Sequence, residues 1–116
     1  MKHTLRLAMF LVCSLSLLFG QADANKGQII GTVTDPNAAV IAGAKLVLKN
    51  VGTGSTRELT TTSTGTYRAV LMDPGTYEVT TTTAGFAENK ISGLVLNVGS
   101  TITVNVQMTV QSTSTT

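Results

Sequence analysis

Apolar and polar residues alternate with a period of two along most of the chain beyond residue 27. Ile29, Gly31 and Val33 alternate with Ile30, Thr32 and Thr34, and Ala44, Leu46 and Leu48 with Lys45, Val47 and Lys49. Tyr67, Ala69 and Leu71 alternate with Arg68, Val70 and Met72, Tyr77 and Val79 with Glu78 and Thr80, and Leu94, Leu96 and Val98 with Val95 and Asn97. The clearest run sets Ile102, Val104, Val106 and Met108 against Thr101, Thr103, Asn105 and Gln107. Successive side chains of a strand point to opposite faces, so this period is that of strands in sheets packed on one side. Turn formers separate the runs: Asp35-Pro36-Asn37, Gly52-Thr53-Gly54, Ser63-Thr64-Gly65, Asp73-Pro74-Gly75 and Gly99-Ser100. The spacing predicts seven strands, near 28–34, 44–50, 56–62, 66–72, 76–83, 91–97 and 101–109, and hence an all-β, seven-stranded antiparallel β-sandwich. Within it, Gly65–Tyr77 reads as a hairpin, with Pro74 presetting the turn and Gly75 taking a positive φ. Tyr67 and Tyr77 fall in the apolar phase and are expected in the core, their hydroxyls satisfied by turn backbone. Arg57–Thr62 carries only Leu59 as an apolar residue and reads as an edge strand. Arg57 is expected to be solvated, its loss costing under about 0.5 kcal/mol.

The first 24 residues follow a different rule. Lys2 and Arg6 precede an apolar run from Leu5 to Phe19, and Ala22-Asp23-Ala24 supplies small residues at −3 and −1. This is the layout of a signal peptide cleaved between Ala24 and Asn25. The run is shorter than the roughly 20 residues a spanning helix needs, and Val12 before Cys13 does not suit a lipidation site. The chain therefore divides into a signal peptide (1–24), a domain (25–110) and a Ser/Thr-rich tail or linker start (111–116). Such a layout places the product in the periplasm, at the outer membrane or outside the cell, with no membrane span in the mature chain.

Composition removes most chemistry. The only histidine, His3, and the only cysteine, Cys13, lie in the leader, so the mature chain has neither, and no tryptophan. No disulfide is available, and zinc-type ligands and a histidine base for serine catalysis are absent. Six cations face five carboxylates in residues 25–116, without a basic cluster, which excludes a nucleic-acid footprint. Asp35 and Asn37 flank Pro36 and read as turn formers, too few to ligate calcium. The threonines crowding Thr60–Thr62 and Thr80–Thr83 read as β-branched filling of solvent-facing positions. No catalytic, cofactor or metal residue is expected. Sugar binding usually needs an exposed aromatic, and Phe86, after Gly85, is the only one outside the predicted core, so it is the single candidate ligand-binding residue.

Five segments in order add a resemblance. Gly27-Gln-Ile-Ile-Gly-Thr-Val-Thr-Asp35, Ala42-Gly-Ala-Lys-Leu-Val-Leu48, Gly65-x-Tyr67, Pro74-Gly-Thr-Tyr77 and Ala84-Gly-Phe86 resemble the carboxypeptidase regulatory-like domain over residues 27–110. The resemblance implies a transthyretin-like (prealbumin-like, Ig-like) sandwich related to B-type repeats. Such modules often follow the signal peptide of Oar-like TonB-dependent receptors of the outer membrane. Ala42 stands where Pro is frequent, and Ala69 where a second aromatic is common. Some B-type repeats form a Lys–Asn crosslink; Asn105 would be the Asn, but residues 28–34 offer no Lys. The resemblance implies a non-catalytic exported module that meets a protein or cell-envelope partner, possible contexts being a receptor's N-terminal extension or an independent domain. The alternatives are a carbohydrate-binding module using Phe86 and an accessory domain of a peptidase.

Overall fold

The computed structural model describes residues 25–111. The expected signal peptide, and the tail beyond Gln111, lie outside the described residues. Ten strands follow in order: β1 (Gly27–Thr34), β2 (Lys45–Asn50), β3 (Thr56–Thr60), β4 (Thr66–Met72), β5 (Gly75–Thr82), β6 (Phe86–Ala87), β7 (Asn89–Leu96), β8 (Thr101–Thr103), β9 (Val106–Gln107) and β10 (Thr109–Val110). No helix occurs among the described residues. One sheet has the order β4-β1-β8, with β9 continuing β8 along β1; the other runs β3-β2-β5-β7. A short β10-β6 pair joins the chain's last strand to the β5–β7 connection.

The two sheets enclose one core. Burial alternates residue by residue along β1, with Ile29, Gly31 and Val33 inward. Ala44, Leu46, Leu48, Tyr67, Ala69, Met72, Tyr77, Val79, Leu96, Val104, Val106 and Met108 complete the interior. Each large aliphatic side chain so enclosed contributes about 1.5–3 kcal/mol relative to exposure. The all-β sandwich read from the period of two is the fold that forms.

Three features depart from the sequence reading. First, Gly65–Tyr77 is not a hairpin. β4 belongs to the first sheet and β5 to the second, so Asp73-Pro74 carries the chain across the sandwich. Tyr77 donates its hydroxyl to the Asp73 carbonyl at 2.6 Å and closes this corner, in the manner of a tyrosine corner. Gly75 has φ 154°, and a Cβ there would sit 2.8 Å from the Asn50 side-chain nitrogen. Asn50 is itself buried and accepts from the backbone N–H of Gly52 and Thr53 at 3.0 and 3.2 Å. One amide thus organises the β2–β3 turn and packs on the corner.

Second, the last strand is parallel to β1, not antiparallel, and it is interrupted. Gln28 pairs with Thr101, Ile29 with Ile102 and Ile30 with Thr103; the same register resumes at Val33–Val106 and Thr34–Gln107. The cause is topological. β7 ends beside Gly75, at the end of the sandwich where β1 begins. The chain must change sheets there, so β8 starts from the same end as β1.

Third, β4 carries a bulge. Gly27 pairs with Met72 but Ile29 with Ala69, which leaves one extra residue on β4. Leu71 adopts φ 54° and is 55% exposed, while Met72 turns into the core. The inward set is therefore Tyr67, Ala69 and Met72, where simple alternation expected Leu71. A bulge frees backbone groups of the strand that carries it, and Arg57 takes them up. Its guanidinium donates to the carbonyl of Val70 and, at 3.4 Å, to that of Leu71. Arg57 is half-buried, not solvated, and ties edge strand β3 to edge strand β4 across the two sheets. Arg57→Ala is accordingly expected to cost ~1–2 kcal/mol, the range of hydrogen bonds from a charged donor discounted for partial exposure, measurable by urea denaturation.

Threonine is also not confined to solvent. Thr61 is buried; its hydroxyl donates to the Ile41 carbonyl at 2.7 Å and accepts from Ala44 N–H at 2.9 Å, fixing the loop into β2. Thr81 continues the inward phase of Tyr77 and Val79, and its fully buried Oγ1 has no hydrogen-bond partner. An unpartnered buried hydroxyl is destabilising. Thr81→Val, close in shape, is expected to raise stability by ~1 kcal/mol in the same urea titration.

Candidate functional site

The break between β8 and β9 is built from five residues. Gly31 lies opposite Tyr67 on β4, and the Tyr67 hydroxyl reaches over it to donate to the Val104 carbonyl. In an unbroken parallel ladder that carbonyl would face the N–H of Thr32, because Val104 N–H already bonds to Ile30 O at 2.8 Å. Thr32 is served instead by a side chain. Asn105 Oδ1 accepts from Thr32 N–H at 3.2 Å and from its hydroxyl at 3.1 Å. Asn105 therefore points outward, as its phase requires, and faces a threonine where a crosslink would need a lysine. Burial pushes the Tyr67 phenol up to about 12 from its usual 10.0. The fold's preference for the neutral phenol is fully present below pH 10.0 and is lost as pH rises through about 12. The urea midpoint is expected to hold up to about pH 10 and to decline above it, with the decline reduced in Tyr67→Phe.

Outside this break lies a groove of about 520 Å³ on the outer face of the β4-β1-β8 sheet. Ile30 and Thr32 form its floor, with Thr66 and Arg68 on one side and Thr103 and Asn105 on the other. Thr62, Thr64 and Thr66 set their hydroxyls in a triangle of 3.0, 2.7 and 3.2 Å at its rim. Arg68 Nε donates to Gln28 Oε1 at 3.3 Å, which orients the guanidinium over the sheet. Hydroxyls, an amide and one cation can bind a ligand; none is a nucleophile with an adjacent base.

Phe86, the residue singled out from sequence, is elsewhere. It sits in β6, paired with Val110 of β10, half-buried and packed against the core. Part of its ring surface is therefore already covered, and it does not line the groove.

Four of the five carboxylates among the described residues are held in structural contacts, and Glu88 is exposed. Asp35 accepts from the N–H groups of Asn37 and Ala39 at 2.8 and 2.9 Å, the turn role expected of it. Asp73 pairs with Lys26, Glu58 with Lys45 at 3.1 Å and Glu78 with Lys90 at 3.1 Å. The hydrogen bond from Lys90 holds the Glu78 carboxyl below the usual carboxylate range. Among the described residues no three His, Cys, Asp or Glu side chains gather as a metal site would require, and no helix is long and apolar enough to cross a membrane.

Apolar exposure is uneven. Among the described residues seven large apolar side chains are exposed: Val51, Val70, Leu71, Val95 and Val98 lie at or beside the end where β1 begins, and Val40 and Val110 toward the opposite end. A hollow of about 210 Å³ between Val70, Leu71, Lys26 and Gly99 opens at that first end. The sequence reading missed this concentration at one end, to which β4, β7 and the β2–β3 and β7–β8 loops contribute.

Several solved structures share the fold. A candidate carbohydrate binding protein from Bacteroides uniformis ATCC 8492 superposes with a TM-score of 0.59 at 18% identity, covering 72% of this chain and 41% of that one. The backbone protein of group B streptococcus pilus 2b gives 0.55 at 20% identity, over 73% and 41%. Wild type catechol 1,2 dioxygenase from Acinetobacter radioresistens gives 0.60 at 14% identity, over 80% and 54%. The chain thus spans only 41–54% of these proteins, and at such identities the likeness is one of fold alone. No curated protein matches the chain in sequence. The model of the carboxypeptidase regulatory-like domain matches residues 28–109, nearly all of the two-sheet sandwich, and the chain belongs to that family.

Proposed function

We propose that the chain is an exported, non-catalytic module that acts as a structural and interaction domain at the bacterial outer membrane or cell surface, as an independent domain or as the N-terminal extension of a TonB-dependent receptor. The observation that carries this reading is the concentration of exposed aliphatic side chains toward one end, where Leu71 is held out by the β4 bulge. Grouped exposed apolar surface is the usual mark of a contact site, and loop ends presented by a rigid sandwich are where such sites are built. The structural engagement of four of the five carboxylates, with no histidine or cysteine beyond residue 24, supports a role without catalysis. A photoreactive residue at Leu71 or Val98 in secreting cells is expected to crosslink an envelope partner, while one at Val40 or Val110 does not. Equal labelling from both ends, or none, overturns the reading. Export is tested separately: the secreted product should begin at Asn25.

A second reading has its own observation. The groove beside Arg68 presents hydroxyls and an amide to a ligand, and one structural relative carries a carbohydrate-binding description. Carbohydrate binding predicts saturable glycan binding lost in Arg68→Ala or, if Phe86 is the platform, in Phe86→Ala, with the fold intact. Loss of glycan binding in either variant would displace the first reading.

A further inference from the structure

The chain enters the sandwich at one end and leaves it at the other. Lys26 and Gly27 open β1 at the end holding Met72 and Ser100. β9 finishes beside Thr34, the last residue of β1, and Gln111 N–H bonds Gly85 O at 3.2 Å beyond it. The first strand of the domain and its interrupted strand β8–β9 are thus direct neighbours, and they are parallel. Tension applied through residues before 27 and after 110 pulls β1 toward one end and β8–β9 toward the other, along the ladder that joins them.

We infer that the β1/β8–β9 ladder is a mechanical clamp, loaded in shear whenever the domain is pulled between the start of β1 and the end of β9. The geometry gives the reason. Load along paired strands stresses all their cross-bonds together, whereas load that peels one strand from the other breaks them in turn. The bonds in question span the whole of β1: Gln28 N–H to Ser100 O at 3.0 Å, Val104 N–H to Ile30 O at 2.8 Å and Met108 N–H to Thr34 O at 2.8 Å. The gap at residues 31–32 is not left weak. Asn105 bridges it to Thr32, the Tyr67 hydroxyl anchors Val104 from β4, and Gln28 Nε2 adds a bond to Thr101 Oγ1 at 2.8 Å. Buried Val104, Val106 and Met108 key the sliding strand into the core. The two-residue β10-β6 pair lies outside the clamp and yields first.

This clamp extends the structural role proposed above, but it is independent of any partner, so crosslinking and pulling can fail separately. The test loads the same ladder in two directions. In the full chain carrying Cys13→Ser, handles at Asn25→Cys and Gln111→Cys apply shear; handles at Asn25→Cys and Val98→Cys, both at the end where β1 begins, apply peel. Forced unfolding reports the barrier to unfolding, and the rupture force in shear is expected to exceed that in peel by at least about twofold. Circular dichroism and urea midpoints establish that both handled chains are folded alike. Rupture forces that are equal in the two directions, or lower in shear, overturn the clamp.

Discussion

Gly31→Ala is expected to lower stability by more than about 4 kcal/mol, the exceptional range for a single substitution. The position has no unusual dihedral; the obstacle is space. An alanine Cβ would lie 1.9 Å from the Val104 carbonyl oxygen, 2.7 Å from its carbon and 2.8 Å from the Tyr67 hydroxyl. None of the three can withdraw cheaply. Val104 is held by its N–H bond to Ile30, and the hydroxyl is held by Val104 itself. Moving the last strand away would break the parallel ladder, and moving Tyr67 would empty part of the core. A domain of this size has roughly 5–15 kcal/mol of total stability, so the variant is expected to be largely unfolded or close to it. Gly93→Ala is the comparison. Gly93 has φ 73° and nothing within 4 Å of an added Cβ, so it reports backbone strain without collision, expected at ~1–2 kcal/mol. Equilibrium unfolding in urea measures both. A Gly31→Ala protein within about 1 kcal/mol of the parent would show that Val104 does not cross β1 as described.

Tyr77→Ala is expected to cost ~3–5 kcal/mol, as aromatic truncations in cores do. The ring is buried where the chain passes from one sheet to the other, and its removal leaves a cavity between β5 and the core. It also leaves the Asp73 carbonyl without the hydroxyl that closes the corner. Tyr77→Phe separates these two effects, keeping the ring and losing only the hydrogen bond, for ~1 kcal/mol. A thermal melt in which Arg57→Ala is more damaging than Tyr77→Ala would refute the assignment of inside and outside. The same corner explains why the Pro74-Gly75 signal misleads. A bend followed by a strand satisfies both a hairpin and a crossover. What distinguishes them is whether the second strand hydrogen-bonds the first, and β5 bonds β2 and β7 instead.

The candidate site was less legible than the fold. Phe86 stood out because aromatics are scarce, yet its neighbours in space, Val110 and the core, cover part of it. The groove draws Thr32, Thr66, Thr103 and Asn105 from three strands that are distant in the chain, each an ordinary outward polar residue when read alone. Arg57 looked like a solvated edge charge because nothing near it in sequence needs a donor; its acceptors, Val70 and Leu71, are freed by a bulge on another strand.

From the sequence by itself came the period of two, the turn positions, the buried tyrosines and the lack of catalytic residue types beyond residue 24. These are local properties: the pleat sends alternate side chains to opposite faces, and Gly, Pro, Asp and Asn bend the chain wherever they occur. Only the tertiary structure decided which strands share a sheet, that the last strand runs parallel to the first, why residue 31 has no side chain, and which apolar residues gather at one end. These depend on which elements meet in space, as Tyr67 and Val104, 36 and 73 residues away, do at Gly31. Alternation says which face a residue takes, and it carries no information about which strand lies beside it.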